Sequence, residues 1–282
     1  MSDRFCILKQ DIFDVVNRLD NIEVKPKKRL LELFSGTHSI GKVAEKMGYD
    51  VTSLDMELPS HCVLGSGFVS KNHIQANIME WDYKVYPRGY FHVVTASPVC
   101  KWWSRLRATC LGKPRKEGGI WTQEHLDYDL EHMGKPMVDK VIEIINYFNP
   151  KFYWIENPQT GKMKDYMPTK FIKKLTGIKT KNGKTFRIFK HLPIPYTDVD
   201  YCKYSDWGYQ KRTRIWTNIN YTGKLCSRSC PCENMVRHTT STGRTSWKHA
   251  QQLGRYKTDK TTKFERYRIP EKLIFELLLA CE

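Results

Sequence analysis

The chain has 282 residues, of which 40% are hydrophobic and 12% aromatic, a composition that supports a folded core and excludes disorder throughout. Its 47 lysine and arginine residues against 30 aspartate and glutamate residues give a formal net charge of +17. An excess of this size favours a polyanionic partner such as nucleic acid, because binding releases counterions from the phosphates.

No apolar run reaches the ~20 residues that a membrane helix needs, and the N-terminus lacks a signal-peptide core. The nine cysteines are an odd number and mostly scattered, which argues against a disulfide framework. We therefore expect an intracellular protein, in the cytoplasm or nucleus and not secreted, with reduced thiols. We expect it to be a monomer.

The first strong pattern in the chain is a strand followed by a glycine turn. Apolar spacing over residues 6–20 predicts a short N-terminal helix. The strand Leu30–Phe34 then leads into a Ser35–Gly41 turn, and residues 42–48 have a helical pattern. Strand, glycine turn and helix form the first unit of a nucleotide-binding α/β sheet, in which the helix N-terminus offers free N–H groups to the ligand.

The second strand, residues 50–54, ends at Asp55. An acidic residue at the tip of this strand is placed to accept hydrogen bonds from both hydroxyls of a ribose. Asp55 is the first candidate for that role and Glu57 the second. The alternative is that Asp55 only caps a turn.

Cys100 follows another apolar strand, Phe91–Val94, which ends at Ser97-Pro98. The end of such a strand delivers the next residues to the carboxyl edge of the sheet, where α/β folds bind ligands. A free cysteine is most often a small buried residue, so Cys100 alone does not define a site.

Residues 101–116 then combine six lysine and arginine residues with Trp102 and Trp103. These side chains could neutralise phosphates and stack on bases, or the tryptophans could pack in the core.

Residues 125–148 predict a long helix, and further strands are predicted at 151–155, 186–189 and 214–217. The alternation of strands and helices predicts an α/β fold with a doubly wound, mostly parallel sheet. After residue 218, three cysteines and one histidine occur within 13 residues: Cys226, Cys230, Cys232 and His238. These side chains are typical ligands of structural zinc, although their spacing matches no common zinc module.

Four motifs occur in a fixed order: Phe34-Ser35-Gly36, Pro98-Val99-Cys100, Glu156-Asn157 and Gln210-Lys211-Arg212-Thr213-Arg214. With this order the chain resembles the DNA cytosine-5 methyltransferase family over residues 29–218. The resemblance implies the fold of S-adenosylmethionine-dependent methyltransferases, S-adenosylmethionine as cofactor, and double-stranded DNA as the partner. It implies methyl transfer to carbon 5 of a cytosine flipped out of the duplex.

The resemblance also implies a role for each motif residue. Cys100 would add to the cytosine ring, Glu156 would neutralise charge at N3, and Asn157 would hold Glu156 or the neighbouring backbone. Arg214 would contact the base carbonyl and the cysteine, while Arg212 and Gln210 would fix the closing loop and the phosphates. The implied cofactor contacts are Phe34, Ser35, Gly36, Thr37, His38, Ser39, Asp55, Met56, Asn77, Ile78 and Pro98.

Two expectations follow from the residues around these motifs. The spacing of Arg212 and Arg214 puts both on one side of a strand. Basic neighbours of Cys100 would lower the pKa of its thiol, and the candidates are Lys101, Arg105, Arg212 and Arg214.

We expect three regions. The resemblance suggests a catalytic domain over residues 1–218 and a small target-recognition region over 219–265. The amphipathic pattern at the end of the chain predicts a C-terminal helix, within residues 266–282, that packs on the catalytic domain. Family members commonly carry glycine at the place of His38 or Ser39, and a Gly-Asn stretch near the C-terminus that this chain lacks.

Three other functions remain open. The same motif residues would serve an RNA cytosine-5 methyltransferase. Ser97-Pro98 suggests an enzyme that methylates an exocyclic amine, but such an enzyme leaves the Glu156 and Arg212 motifs unexplained. The altered glycine turn and the missing Gly-Asn stretch would suit a nucleic-acid-binding relative without activity.

Overall fold

A computed structural model describes residues 27–57, 70–182, 184–227, 232–251, 265 and 267–282. The helix expected over residues 6–20 lies outside this part of the chain, and so does Cys230. No helix within these ranges has the length and apolar character that a membrane crossing needs.

The fold contains eleven strands and five α-helices among the described residues. The strands are β1 (Arg29–Leu33), β2 (Asp50–Asp55), β3 (Asn72–Gln75), β4 (Val93–Ala96), β5 (Phe152–Pro158), β6 (Phe171–Lys181), β7 (Lys184–Pro193), β8 (Tyr196–Asp200), β9 (Arg212–Thr217), β10 (Met235–Thr239) and β11 (Thr245–His249). The helices are α1 (Ser39–Lys46), α2 (Gln123–Asp129), α3 (Lys135–Phe148), α4 (Met163–Tyr166) and α5 (Glu271–Leu279). A π-helical turn, Leu130–Gly134, joins α2 to α3 where the sequence predicts one long helix.

Seven strands form the central sheet in the order β3-β2-β1-β4-β5-β9-β8. The strands from β3 to β5 run parallel, while β9 is antiparallel to both β5 and β8. The order 3-2-1-4-5 is that of doubly wound nucleotide-binding sheets. The prediction of an α/β fold with a doubly wound, mostly parallel sheet is confirmed.

Helices cover both faces of the sheet. On one face, α3 packs its buried Val138, Val141 and Ile145 against side chains of the inner strands, at the spacing of an amphipathic helix. On the other face, α1 and α5 form a second core with residues such as Leu30. The inner strands β1 and β4 are buried on both faces of the sheet, and for this reason their sequences are short, mostly apolar runs.

Two hairpins lie outside the central sheet. β6 pairs with β7, and β10 pairs with β11, each as a separate two-stranded antiparallel sheet. The strand predicted at residues 186–189 is therefore part of an exposed hairpin and not of the central sheet.

In the basic segment after Cys100, Trp103 is buried against Tyr166, and Trp102 contacts Arg107. These tryptophans pack within the protein.

Candidate active site

A cleft of about 270 Å³, open to solvent, lies at the carboxyl ends of β1, β2, β4 and β5. This is the edge where parallel α/β sheets bind ligands. Twelve residues predicted from sequence line it together: Phe34, Ser35, Gly36, Thr37, Ser39, Asp55, Met56, Asn77, Ile78, Pro98, Cys100 and Glu156. The cleft therefore joins the predicted cofactor residues to two of the predicted catalytic residues.

The glycine turn after β1 shapes one end of the cleft. Phe34 and Gly36 both have positive φ angles, 58° and 45°, and for phenylalanine this conformation is strained. The turn brings the Gly36 N–H within 2.8 Å of Asp55 Oδ2, and the Glu57 N–H donates to Asp55 Oδ1 at 2.9 Å. The Asp55 carboxylate is thus held at the rim of the cleft by two backbone donors.

His38 does not line the cleft, although it was predicted to contact the cofactor. It is the N-cap of α1 in a left-handed conformation, and its side chain is 1% exposed, with Nδ1 3.9 Å from Glu32 Oε2. Burial lowers the pKa of His38 to about 4. His38 has a positive φ of 52°, and its side chain is buried in the protein instead of facing the cleft. The sequence pattern gave no indication of this conformation.

Glu32 is a site residue that sequence reasoning missed. It lies on β1, is buried, and accepts hydrogen bonds from the Ile40 N–H at 3.2 Å and the Ser53 hydroxyl at 2.8 Å. Since the side chain of His38 makes no capping bond, Glu32 caps the N-terminus of α1 instead. Burial raises the pKa of Glu32 to about 7 against the opposing effect of the Ser53 hydrogen bond. The sequence places Glu32 within a predicted strand, and nothing in that pattern indicates that its side chain caps α1.

Asn77 and Ile78 form part of the opposite wall. Asn77 Oδ1 accepts from the Met79 N–H and its Nδ2 donates to Glu80, both at 3.1 Å, so the side chain caps its own turn. Ile78 is buried beside the cleft. A carbonyl oxygen has two lone pairs, so Asn77 keeps one acceptor direction for a ligand.

Cys100 begins a 3-10 turn four residues after β4, and Glu156 lies near the end of β5. The two strands are neighbours in the sheet, with Ala96 paired to Ile155. Glu156 is buried, and Oε1 accepts a hydrogen bond from the Tyr201 hydroxyl at 2.8 Å. Lys211 Nζ lies 3.8 Å from the same oxygen, and Lys211 also lines the cleft. Sequence reasoning missed both Tyr201 and Lys211.

The surroundings of Cys100 correct the expectation that its pKa is lowered. Burial raises the pKa of the thiol, the charge of Lys211 lowers it, and the charge of Glu156 raises it. The expected basic neighbours are engaged elsewhere: Arg212 with Asp200, Arg214 with Asp198, Arg105 with Asp165, and Lys101 over the ring of Trp102. Among the described residues, Lys211 is the cation that favours the thiolate, and the effect of desolvation outweighs it.

Arg212 and Arg214 do share one side of β9, as their spacing predicts. Each forms a bidentate pair with its cross-strand neighbour on β8, Arg212 with Asp200 and Arg214 with Asp198. Neither arginine lines the cleft, and Gln210 is exposed outside it. The register of β8 against β9 directs both guanidinium groups to these carboxylates.

Asn157 connects the two catalytic strand ends. Its Nδ2 donates to the Pro98 carbonyl oxygen at 2.8 Å, and the residue is buried. Asn157 therefore holds the backbone just before Cys100.

The C-terminal segment completes the cleft with Tyr267 and Ile269, and the Ile269 N–H donates to Ser39 Oγ at 3.2 Å.

The predicted cysteine and histidine set is only partly brought together. Cys226 and Cys232 are neighbours, but their partners are Cys202 and His249. His238 is exposed on β10 opposite Ser246 and does not belong to this group, whereas the pairing of Met235 with His249 brings His249 to the base of the hairpin. The sequence spacing suggested His238 because the hairpin register was not visible in it.

Comparison with known proteins gives the family. No family model matches the chain. The chain is 37% identical over 259 residues to the "Probable DNA (cytosine-5)-methyltransferase" of Frog virus 3 (isolate Goorha), covering 90% of this chain and 100% of the viral protein.

Solved structures show a more distant likeness. A mutant DNMT2 of Spodoptera frugiperda has 13% identity and a TM-score of 0.40, over 71% of this chain and 56% of that one. A SAM-dependent methyltransferase from Archaeoglobus fulgidus has 12% identity and a TM-score of 0.29, over 56% and 59%. Both likenesses are too weak to support an argument, and the family rests on the viral relative: the chain belongs to the DNA (cytosine-5)-methyltransferase family.

Proposed function

We propose that this chain transfers the methyl group of S-adenosylmethionine to carbon 5 of a cytosine in duplex DNA. The observation that carries the proposal is that Cys100 and Glu156 share one cleft with the glycine turn and Asp55. A nucleophile, a carboxyl group and a nucleoside-binding edge are the parts that this reaction needs in one place.

The cleft suits S-adenosylmethionine in three respects. The Asp55 carboxylate lies at the tip of β2, where a ribose would be bound. Ile78 and Pro98 offer apolar surface on which an adenine can pack. Ser35 Oγ is buried in the wall and has no hydrogen-bond partner among the described residues, so a polar ligand atom would satisfy it. When bound, this cofactor supplies an electrophilic methyl group.

The residues of the chain prepare the cytosine for that methyl group. The Cys100 thiolate adds to carbon 6, and the electron pair of the C5–C6 double bond moves toward carbon 5 and N3. Glu156 neutralises the charge at N3, held in place by Tyr201. Carbon 5 would then bond to the methyl carbon while the bond from that carbon to the cofactor sulfur breaks, so the sulfonium would leave as the neutral thioether S-adenosylhomocysteine. Loss of the carbon 5 proton to a base restores the double bond and releases the Cys100 thiolate.

Exposed basic surfaces support duplex DNA as the substrate. The β6–β7 hairpin, residues 171–193, carries seven lysine and arginine residues and no acidic residue. Its Phe186 and Ile188 are also exposed. Lys101, Lys113 and Lys116 lie exposed in the segment after Cys100. Together these side chains can neutralise the phosphates of a bound duplex.

The proposed reaction is tested by the methylated product. The full chain is incubated with labelled S-adenosylmethionine and three acceptors: duplex DNA, the same duplex with 5-methylcytosine at every cytosine, and bulk RNA. Nucleoside mass spectrometry should find 5-methyldeoxycytidine in the first acceptor, and the second should take up no label. Label in RNA alone, or N4-methyldeoxycytidine as product, would contradict the proposal.

Lys211 is expected to promote ionisation of Cys100. Replacing Lys211 with methionine removes the cation that lowers the pKa of this thiol, so the pKa should rise further and the alkylation of Cys100 by iodoacetamide should shift to higher pH. Peptide mass spectrometry resolves Cys100 from the other cysteines. Lys211→Arg keeps the charge and should keep the wild-type profile, whereas identical profiles for all three proteins would exclude this role.

Asp55 is expected to bind the ribose of S-adenosylmethionine. Asp55→Ala should weaken cofactor binding by about 1.5–3 kcal/mol, the range for hydrogen bonds to a charged group. Calorimetry measures the change, and Asp55→Asn, which keeps an acceptor for the Gly36 N–H, separates the ribose contact from a distorted turn. Asp50→Ala, at the other end of β2, is the matched control. A loss seen with Glu57→Ala and not with Asp55→Ala would transfer the role to Glu57.

A further inference from the structure

Four potential metal ligands from separate parts of the chain meet outside the cleft. Cys202 lies in the turn after β8, Cys226 and Cys232 follow β9, and His249 is the last residue of β11. Their ligand atoms all lie within 4.8 Å of one another. Cys202 is buried and the other three are partly buried.

The three distances among Cys226, Cys232 and His249 match the edges of a zinc tetrahedron. Cys226 Sγ lies 3.7 Å from Cys232 Sγ and 3.7 Å from His249 Nε2, and Cys232 Sγ lies 3.5 Å from His249 Nε2. With Zn–S bonds of about 2.3 Å and Zn–N bonds of about 2.0–2.1 Å, tetrahedral geometry requires about 3.8 Å between two sulfurs and about 3.6 Å from sulfur to nitrogen.

We propose that Cys202, Cys226, Cys232 and His249 bind one structural zinc ion. Three thiolates and one imidazole form a complete set of four protein ligands, which is typical of structural and not of catalytic zinc sites. Three thiolates and Zn²⁺ leave one net negative charge. Lys203 lies close enough to Cys226 to interact with it electrostatically, so it can compensate this charge.

The zinc ion would fix the β10–β11 hairpin to the catalytic sheet. This hairpin pairs with no other described strand, and Met235 is the one buried residue in its two strands. A two-stranded hairpin with so little buried apolar surface is marginal by itself. Asn234 supports the same connection, since its amide donates to the carbonyl oxygens of Cys202 and Ser205 at 2.9 and 2.7 Å.

The site also adjoins the segment that orients Glu156. Cys202 directly follows Tyr201, whose hydroxyl donates to Glu156. The Cys226 N–H donates to Asp200 Oδ2 at 2.7 Å, and Asp200 holds Arg212. A zinc ion bound to these four residues would therefore hold the β10–β11 hairpin beside β9, the strand that carries Arg212 and Arg214.

Metal content of the full chain, purified without chelator, tests the site. Mass spectrometry of the metals should find about one zinc per chain. His249→Ala should lose the zinc, and His249→Cys should retain it because thiolate replaces imidazole as a ligand. His238→Ala, an exposed histidine of the same hairpin, is the matched control and should keep the full amount. Hydrogen exchange of residues 235–249 should accelerate in His249→Ala, while affinity for S-adenosylmethionine stays within about threefold.

Three results would overturn the proposal: wild-type protein with far less than one zinc per chain, a Cys226–Cys232 disulfide in non-reducing peptide mapping, or full zinc content in His249→Ala. If His249→Ala does not fold, cobalt substitution of the wild-type chain decides, since tetrahedral thiolate coordination gives visible d–d and charge-transfer bands. These measurements require no methyl acceptor, so they are independent of the proposed methyl transfer.

Discussion

Cys100→Ser should reduce methyl transfer to DNA by at least about 100-fold, or about 2.7 kcal/mol of activation free energy. A serine hydroxyl is far less ionised than a thiol at neutral pH, so the addition to carbon 6 should fail. Cys100 lies in the cleft beside Lys211, the cation that favours its thiolate. The rate is measured in a single turnover with labelled S-adenosylmethionine and saturating duplex DNA.

Two controls distinguish a lost nucleophile from a damaged protein. Cofactor affinity of Cys100→Ser, measured by calorimetry, should stay within about threefold of wild type. Cys110→Ser changes a partly buried cysteine that does not line the cleft, and it should retain wild-type turnover. Turnover of Cys100→Ser within about tenfold of wild type would remove Cys100 from the mechanism.

The covalent step has its own experiment. A duplex containing 5-fluorocytosine should trap a protein–DNA adduct, because fluorine at carbon 5 cannot leave as a proton does. The adduct should survive denaturing electrophoresis with wild type and be absent with Cys100→Ser. A trapped adduct that persists in Cys100→Ser would assign the nucleophile to another residue.

Glu156→Gln should reduce methyl transfer by about 100- to 1000-fold, the range for removing one group that stabilises developing charge. Glutamine keeps the size of the side chain and an acceptor for the Tyr201 hydroxyl, but its amide cannot exchange a proton with N3 of the ring. Glu156 is buried, so water cannot readily take over this function. The same single-turnover assay measures the effect.

Glu143→Gln is the matched control for this substitution. Glu143 also accepts a hydrogen bond from a tyrosine hydroxyl, that of Tyr83, but it lies outside the residues that line the cleft. It should therefore retain wild-type turnover, and both variants should bind S-adenosylmethionine normally. If Glu156→Gln lost less than about fivefold, the charge at N3 would have to be stabilised by another group.

The parts of the molecule that could be predicted from sequence are those with local signals. The inner strands are short apolar runs, and each candidate residue among Asp55, Cys100 and Glu156 stands at or just after the end of such a run. Because parallel strands present their carboxyl ends at one edge, this local position is sufficient to bring the three side chains into one cleft. The fold class follows from the same alternation of strands and helices.

The partners of these residues depend on long-range pairing. Arg212 and Arg214 share one side of a strand, as period-two alternation requires, but only the register of β8 against β9 decides that they meet Asp200 and Asp198. Lys211, the residue just before β9, lies near Glu156 and lines the cleft. The sequence predicted Arg212 and Arg214 as basic neighbours of Cys100, but the adjacent Lys211 is the residue whose charge acts on the thiol.

The cysteine and histidine cluster illustrates the same limit. Sequence spacing identified Cys226 and Cys232, but Cys202 comes from a turn 24 residues before Cys226, and the pairing of Met235 with His249 selects this histidine over His238. Local residue patterns determine which segments are strands and which side chains stand at their ends, because hydrophobic periodicity is a short-range property. Which of these side chains meet is decided by strand register and chain crossings, where a shift of one residue reverses every side chain.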